Sequence, residues 1–240
     1  MSFSNFGTPF PLFEAEEEDA SEYIGLRNCT ICGNHHHCFE LSIGCAVMIN
    51  CPQCNAENGL DADDRENQPC RKCQSIIPFP DFPEDDEIVA CYNCLRTGKA
   101  AITTDTELGM ISWEQAYEGL THGIPGLSRK DFELVDGEDG WIRARLPKEI
   151  MFELLRTPNY LSIQGEHWQF CCKAPMVFIG QWSRERFNEE SQDGNGHALF
   201  NEIVQEVVPG LWEDQLHDIT GVYVFRCNQC GRRTAHWDIA

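Results

Sequence analysis

Ten cysteines in this chain stand as five Cys-x-x-Cys pairs: Cys29/Cys32, Cys51/Cys54, Cys70/Cys73, Cys91/Cys94 and Cys227/Cys230. At a tight turn such a pair points two thiolates at one side of a cation, and two pairs complete the tetrahedron that zinc prefers. The first four pairs are separated by 18, 15 and 17 residues, spacings that suit zinc ribbons. Disulfides are the competing reading. Residues 1–18 carry no basic n-region and turn acidic at once, so no secretory signal is expected and the chain is assigned to the cytoplasm. Thiols stay reduced there, and metal binding becomes the better use of paired cysteines. Zn²⁺ is therefore the expected cofactor.

Spacing alone leaves the pairing open. Nested pairing joins Cys51, Cys54, Cys70 and Cys73 in one closed site, with Cys29, Cys32, Cys91 and Cys94 around its base. Sequential pairing joins Cys29/Cys32 to Cys51/Cys54 and Cys70/Cys73 to Cys91/Cys94. Either way, two zinc sites are expected. A third, at the C-terminus, needs two ligands beyond Cys227 and Cys230. Cys172 is the expected third ligand. Neighbouring residues of an extended chain point to opposite sides, so Cys171 beside it is an awkward fourth, and His167 or His236 could replace one of the two. The run His35-His36-His37-Cys38 cannot turn three imidazoles onto one ion and reads as surface polarity, and Cys45 reads as core.

Sites closed by four sulfurs leave no open position for catalysis. The chain has no HExxH, P-loop, GxGxxG or GxSxG. Pro69-Cys70-Arg71-Lys72-Cys73 matches half of a zinc deaminase signature, but His37 and Glu40 have the wrong spacing for the other half. No catalytic residue is assigned. Glu166-His167 beside Trp168 is the acid/base pair on which an alternative reading, a metal-dependent enzyme, would rest. A regulatory zinc-ribbon adaptor is a further alternative.

Charge points to a partner. Thirty-nine acids against 18 bases give a net charge of −21 with cysteine counted neutral. Each closed tetrathiolate zinc site adds about −2 more. Nucleic acid is a poor partner for such a surface, because phosphate binding rests on cations. A basic protein is the better one. Glu84, Asp85, Asp86 and Glu87, then Asp136, Glu138 and Asp139, are the candidate contact acids. The longest apolar run, residues 41–49, is far too short to span a bilayer.

The elements that must hold these groups read as an α+β fold of small zinc-stabilised β-hairpins, ribbons and knuckles, with a few helices. Residues 1–22 read as a tail whose Phe10-Pro11-Leu12-Phe13 packs on the core and whose residues 14–19 are solvated. A strand is expected over 38–49, a ribbon over 51–73 and a Pro-rich connector over 74–90. Ser112 caps a short helix over 112–120, and Pro147 opens another over 148–156. Strands are expected at 141–146, 222–225 and 234–237, a buried stretch at 167–180, a loop at 194–196 and a helix at 197–208.

Several separated segments together resemble the CbrC-like family of small bacterial proteins. They are Phe10-Pro11-Leu12-Phe13, Cys29-Thr30-Ile31-Cys32-Gly33, and Cys91-Tyr92-Asn93-Cys94 with Gly98 and Ala100-Ala101. The most specific block is Arg156-Thr157-Pro158-Asn159-Tyr160, followed by Gln164, Trp168, Cys172 and Phe178-Ile179-Gly180. Phe225-Arg226-Cys227-Asn228-Gln229-Cys230, with Thr234-Ala235-His236-Trp237-Asp238, closes it. The resemblance implies that residues 51–73 are a ribbon inserted into one domain made of 23–50 and 74–240, which favours nested pairing. It also implies His at the position of Cys171 in many members. The family's link to tolerance of a nuclease colicin implies toxin tolerance or immunity. It implies no catalytic residue. The leading expectation is a zinc-stabilised acidic module that binds a basic effector such as a nuclease.

Overall fold

In the computed structural model, residues 3, 10–82, 87–123, 132–137, 140–215 and 220–239 are described. They fall into two units, one of residues 22–159 and one that joins residues 1–21 to 160–240. The candidate acids Glu84, Asp85, Asp86, Glu138 and Asp139 lie outside the described residues. Antiparallel sheets of two or three strands dominate, with few helices, so the expected α+β class of small hairpins holds. No helix among the described residues is long and apolar enough to cross a membrane.

The unit of residues 22–159 is built around two three-stranded sheets. β1 (Tyr23–Asn28), β2 (His35–Glu40) and, much later, β7 (Val89–Cys91) form the first. β3 (Ala46–Asn50), β4 (Glu57–Asp61) and β8 (Ala100–Ala101) form the second, with β3 central. A short hairpin of β5 (Gln68–Pro69) and β6 (Ile76–Ile77) carries the end of the ribbon. Its small core, Cys51, Leu60, Cys70 and Ile77, is half sulfur. The single strand expected over 38–49 is two strands in different sheets. Residues 41–45 break it, and Gly44 at φ +80° supplies a left-handed turn there.

After β7 the chain turns directly into α1 (Tyr92–Arg96). The hairpin of β9 (Thr104–Thr106) and β10 (Gly109–Ile111) follows, then α2 (Trp113–Glu118). Ser112 and Gln115 form a reciprocal capping box on α2, and Gly119 ends it at φ +72°. The hairpin of β11 (Glu133–Asp136) and β12 (Ile142–Arg145) leads to Pro147, the cap of α3 (Lys148–Leu155). Here the sequence expectations agree to within two residues. Glu153 of α3 pairs with Arg96 of α1 at 2.6 Å.

The second unit centres on β15 (Val177–Gln181), β16 (Thr220–Arg226) and β17 (Arg233–Ile239), preceded by the hairpin of β13 (Phe170–Cys171) and β14 (Ala174–Pro175). β16 is buried on both faces, and period-2 alternation divides its side chains. Val222 and Val224 pack with Trp182, Phe187, Phe200, Ile203 and Leu211 under α4 (Arg184–Glu190) and α5 (Gly196–Ile203). Tyr223 and Phe225 face Tyr160, which also stacks on Phe178 at 4.7 Å. Helix α4 was not read from the sequence. Helix α5 stops at Ile203, five residues short of the expected end, because Val204 leaves it to bridge Ala235.

The N-terminal segment is more than a solvated tail. Phe10 and Phe13 are fully buried, and Phe13 bridges Phe178. Asp19, expected in water, is partly buried instead, and desolvation pushes its carboxyl up to about 6.

One close approach inside β4 gives a stability prediction. A Cβ added at Gly59 would lie 2.6 Å from the Trp113 ring. Gly59→Ala should therefore displace Trp113 and cost about 1–3 kcal/mol in a urea unfolding titration, as overpacked cores do.

Candidate metal centres

Four of the five Cys-x-x-Cys pairs fold into the same local shape. The backbone N–H four residues after the first cysteine donates back to its carbonyl: Gly33 to Cys29, Asn55 to Cys51, Gln74 to Cys70 and Gly231 to Cys227, at 2.8–2.9 Å. The first cysteine's N–H in turn donates to the carbonyl five residues on: Asn34, Ala56, Ser75 and Arg232, at 2.8–2.9 Å. The residue after each second cysteine sits in the left-handed region, at φ between 58° and 73°. Gly33 and Gly231 meet that demand without strain, while Asn55 and Gln74 carry a Cβ there. Such a turn opens a cage of inward-facing N–H groups toward the two sulfurs. Lys72 N–H lies 3.4 Å from Cys70 Sγ and Gln229 N–H lies 3.4 Å from Cys227 Sγ. The fifth pair is different, because Cys91 is the N-cap of α1 and Cys94 lies in its first turn. Cys91 N–H donates to Cys29 Sγ at 3.2 Å.

These turns bring twelve thiols together as three groups of four: Cys29, Cys32, Cys91 and Cys94; Cys51, Cys54, Cys70 and Cys73; and Cys171, Cys172, Cys227 and Cys230. Within each group every sulfur lies within 4.8 Å of the others. The arrangement of the first two groups is the nested one. Cys29–Cys94 and Cys32–Cys91 are 3.7 Å apart, Cys51–Cys73 3.7 Å and Cys54–Cys70 3.6 Å. A tetrahedron with metal–sulfur bonds of about 2.3 Å has edges of ~3.8 Å, so the cages have the size that zinc needs. All fourteen cysteines are free thiols.

The third group holds both Cys171 and Cys172. Their sulfurs are 3.7 Å apart, and Cys171 lies 3.7 Å from Cys230. Alternation made this pair awkward only because an extended backbone was assumed. Cys172 and Lys173 are the two loop residues of the β13–β14 hairpin, and both have positive φ, 54° and 62°. That is the pattern of a tight I′ turn. It carries the Cys172 side chain round to the side that Cys171 already faces. Cys171 is thus the member that sequence reasoning left out. Its signal was a two-residue turn with no glycine or asparagine to announce it.

Each cage holds at least one sulfur whose charged form is favoured. The hydrogen bond with the Cys94 side chain pulls Cys29 down to about 4 against the effect of burial. Desolvation pushes Cys70 and Cys227 up, but backbone N–H groups of their own knuckles outweigh it and hold them at about 6 and about 7. In the ribbon, Ser75 Oγ sits 3.2 Å from Cys51 Sγ and 3.0 Å from Cys73 Sγ, and Asn58 Nδ2 reaches Cys70 Sγ at 3.7 Å. Four soft sulfurs with their own hydrogen-bond donors make a donor set that fits Zn²⁺. Such a metal would join segments of chain and leave no ligand position for substrate.

The remaining singled-out residues do other work. Cys45 is buried, and Cys38 is buried with its thiol on the Arg27 carbonyl at 3.4 Å. His35 and His37 lie across the β1–β2 ladder, His35 Nδ1 3.1 Å from Asn28 Oδ1 and His37 Nδ1 2.7 Å from Tyr23 Oη. Neither His167 nor His236 belongs to the third group. His236 Nε2 is 2.7 Å from Tyr160 Oη, which also accepts the His167 backbone N–H. Nearby, Asp238 accepts from Tyr223 Oη at 2.8 Å and from the backbone of Ile163 and Gln164. Glu166 and His167, the pair singled out for an acid/base role, are half-buried and exposed respectively, and the His167 ring lies 5.9 Å from that of His236. Burial first, and the His167 charge second, hold His236 down at about 3.

That burial has a measurable sign. A histidine whose folded pKa lies below its unfolded value contributes stability above the unfolded pKa and loses it as pH falls toward the folded one. Between pH 7 and pH 5.5 the wild-type chain should lose about 1 kcal/mol from His236. His236→Gln should lack that component in urea titrations at the two pH values.

The comparisons with known proteins agree with this picture. Residues 52–239 match the model of the uncharacterised protein family UPF0167. That span begins inside the Cys51/Cys54 pair and leaves Cys29 and Cys32 outside it. The UPF0167 protein PA1536 of Pseudomonas aeruginosa (strain PAO1) is 30% identical over 90 residues, 35% of this chain and 47% of the relative, so the alignment spans about half of the relative's length. No solved structure matches. By the extent of the family match, this chain belongs to the uncharacterised protein family UPF0167.

Proposed function

We propose that this chain is an acidic protein-binding module whose shape is held by three tetrathiolate zinc centres. Its partner would be a basic protein, and its role bacterial toxin tolerance or immunity through capture of an effector such as a nuclease domain. The carrying observation is that each of three cages offers four sulfurs within 4.8 Å of one another. Centres closed in this way hold structure, so recognition falls to the surface between them. That surface belongs to a chain of net charge −21. Glu87 and Asp136, the candidate acids among the described residues, are exposed. Glu190, Asp193 and Glu202 line a cleft of ≈ 550 Å³ beside α4 and α5, where Arg233 is already paired with Glu190 at 2.8 Å.

The toxin-tolerance role comes from the likeness to CbrC-like proteins, and a cytoplasmic setting is the one that keeps paired thiols reduced and open to metal. On the same likeness we read residues 51–73 as a ribbon inserted into a domain of 23–50 and 74–240. Cys51, Leu60 and Cys70 of that span share one small core, which Ile77 of β6 completes from outside it.

Metal analysis of the purified chain should give three zinc ions per chain. Cys70→Ser should lower the count to two, and the protein should unfold at lower urea concentration. Removing one thiolate leaves an open, weaker site, and structural zinc binding is folding free energy. Partner capture has its own test. Basic nuclease toxins encoded beside the gene should bind the zinc-loaded chain and lose activity. Their association rate should fall roughly tenfold or more between 50 mM and 300 mM salt. A set of cognate effectors that neither binds nor is inhibited would sink the immunity reading.

A further inference from the structure

We infer that the third centre is the oxidant-sensitive one: peroxide attacks Cys230, Cys171 resolves it as a disulfide, and the metal leaves. The inference rests on the reading of the sulfur cages as zinc centres and concerns what this chain's own thiols do there.

Exposure separates the three groups. In the first, Cys29, Cys91 and Cys94 are buried and Cys32 is half-buried. The second buries Cys51 and Cys70 and exposes Cys73. In the third, Cys227 alone is buried, while Cys172 and Cys230 are exposed. Oxidants in water reach a sulfur only where the fold leaves it open, so susceptibility follows exposure and thiolate character. The exposed sulfur of the second group, Cys73, has the Ser75 hydroxyl 3.0 Å away. That hydroxyl can donate to the thiolate and withdraw charge from it. Two open thiols on one cage give the third centre two points of entry.

Geometry then puts Cys171 within reach as the resolving partner. Cys171 Sγ lies 3.7 Å from Cys230 Sγ, and the two residues are 59 apart in the chain, on the β13–β14 hairpin and the β16–β17 turn. The pair can close without straining a local turn. Cys171 and Cys172 cannot, because consecutive Cα atoms lie about 3.8 Å apart and disulfides prefer roughly 4.4–6.8 Å.

The electrons balance without a further reagent. The Cys230 thiolate attacks hydrogen peroxide; an S–O bond forms, the O–O bond breaks, and the departing hydroxide takes a proton to become water. The Cys171 thiolate attacks the sulfenic sulfur; an S–S bond forms, the S–O bond breaks, and the second oxygen leaves as water after protonation. Two thiolates give up two electrons to one peroxide. Cys172 and Cys227 remain as ligands, too few to hold zinc against exchange.

The full-length, zinc-loaded chain would be treated with hydrogen peroxide in the presence of a chromogenic zinc chelator, alkylated, and mapped by peptide mass spectrometry. One zinc equivalent should be released about tenfold faster than the other two. The released fraction should carry a Cys171–Cys230 linkage, and reduction with added zinc should restore three equivalents. The mapping is done on the wild-type chain, so it does not depend on a ligand variant that loads poorly. Cys73→Ser should leave the fast phase in place. First oxidation at the Cys29 or Cys51 groups, or equal release from all three, would overturn this inference alone. A chain that purifies without zinc would overturn the metal reading along with it.

Discussion

Four sulfurs that must meet at one point decide which distant segments of this chain become neighbours. Cys29 and Cys94 are 65 residues apart, Cys51 and Cys73 are 22 apart, and Cys171 and Cys230 are 59 apart. Closing loops of this length costs entropy that grows only slowly with length, but short strands contribute little toward it. β5, β6, β8, β13 and β14 have two residues each. Hairpins of that size are marginal on their own. A metal bound by four thiolates would supply what they lack, since structural zinc sites contribute folding energy directly. The ribbon makes the point most sharply, because two of the four residues in its core are themselves candidate ligands.

The repeated knuckle explains how so little chain can aim sulfur so reliably. Its requirements are local: a carbonyl that accepts from four residues on, an N–H that donates five residues on, and one residue in the left-handed region. Tertiary structure then only has to bring two such turns face to face. The Cys91/Cys94 pair reaches the same end through a helix, with Cys91 as N-cap, and it meets Cys29 and Cys32 in the turn between β1 and β2, where Cys91 N–H donates to Cys29 Sγ. Different local solutions serve one tetrahedron, which places the constraint at the metal and not in the backbone.

How far the sequence could be read follows from where each constraint acts. Constraints carried by a few adjacent residues were legible: the Cys-x-x-Cys turns, the Ser112 cap, the Pro147 start and the alternation of residues 141–146. Constraints that depend on distant packing were not. Residues 38–49 read as one strand, yet 38–40 and 46–49 pair in different sheets, which only their partner strands reveal. Helix α4 has a Ser183 cap, but its polar sequence buries Phe187 alone, too weak a period to announce a helix. For Cys171 the failure was an assumption about backbone, since no turn residue marks the Cys172-Lys173 loop. The nested pairing was legible only through family resemblance, because three spacings of similar length fit either arrangement.

The same logic relates metal to surface. A site closed by four sulfurs offers a partner no open coordination position, and a chain with 39 acids offers it charge in abundance. Each thiolate cage would add negative charge to an already acidic protein, so folding here increases the repulsion that net charge of this size creates. The acids therefore cost stability, which metal bound in the cages would offset. Several bases are already paired with acids: Arg96 with Glu153, Arg226 with Glu14, and Arg186 and Arg233 both with Glu190. What is left over is negative. A surface kept this unbalanced at a cost to the fold is more readily understood if another, basic molecule completes it.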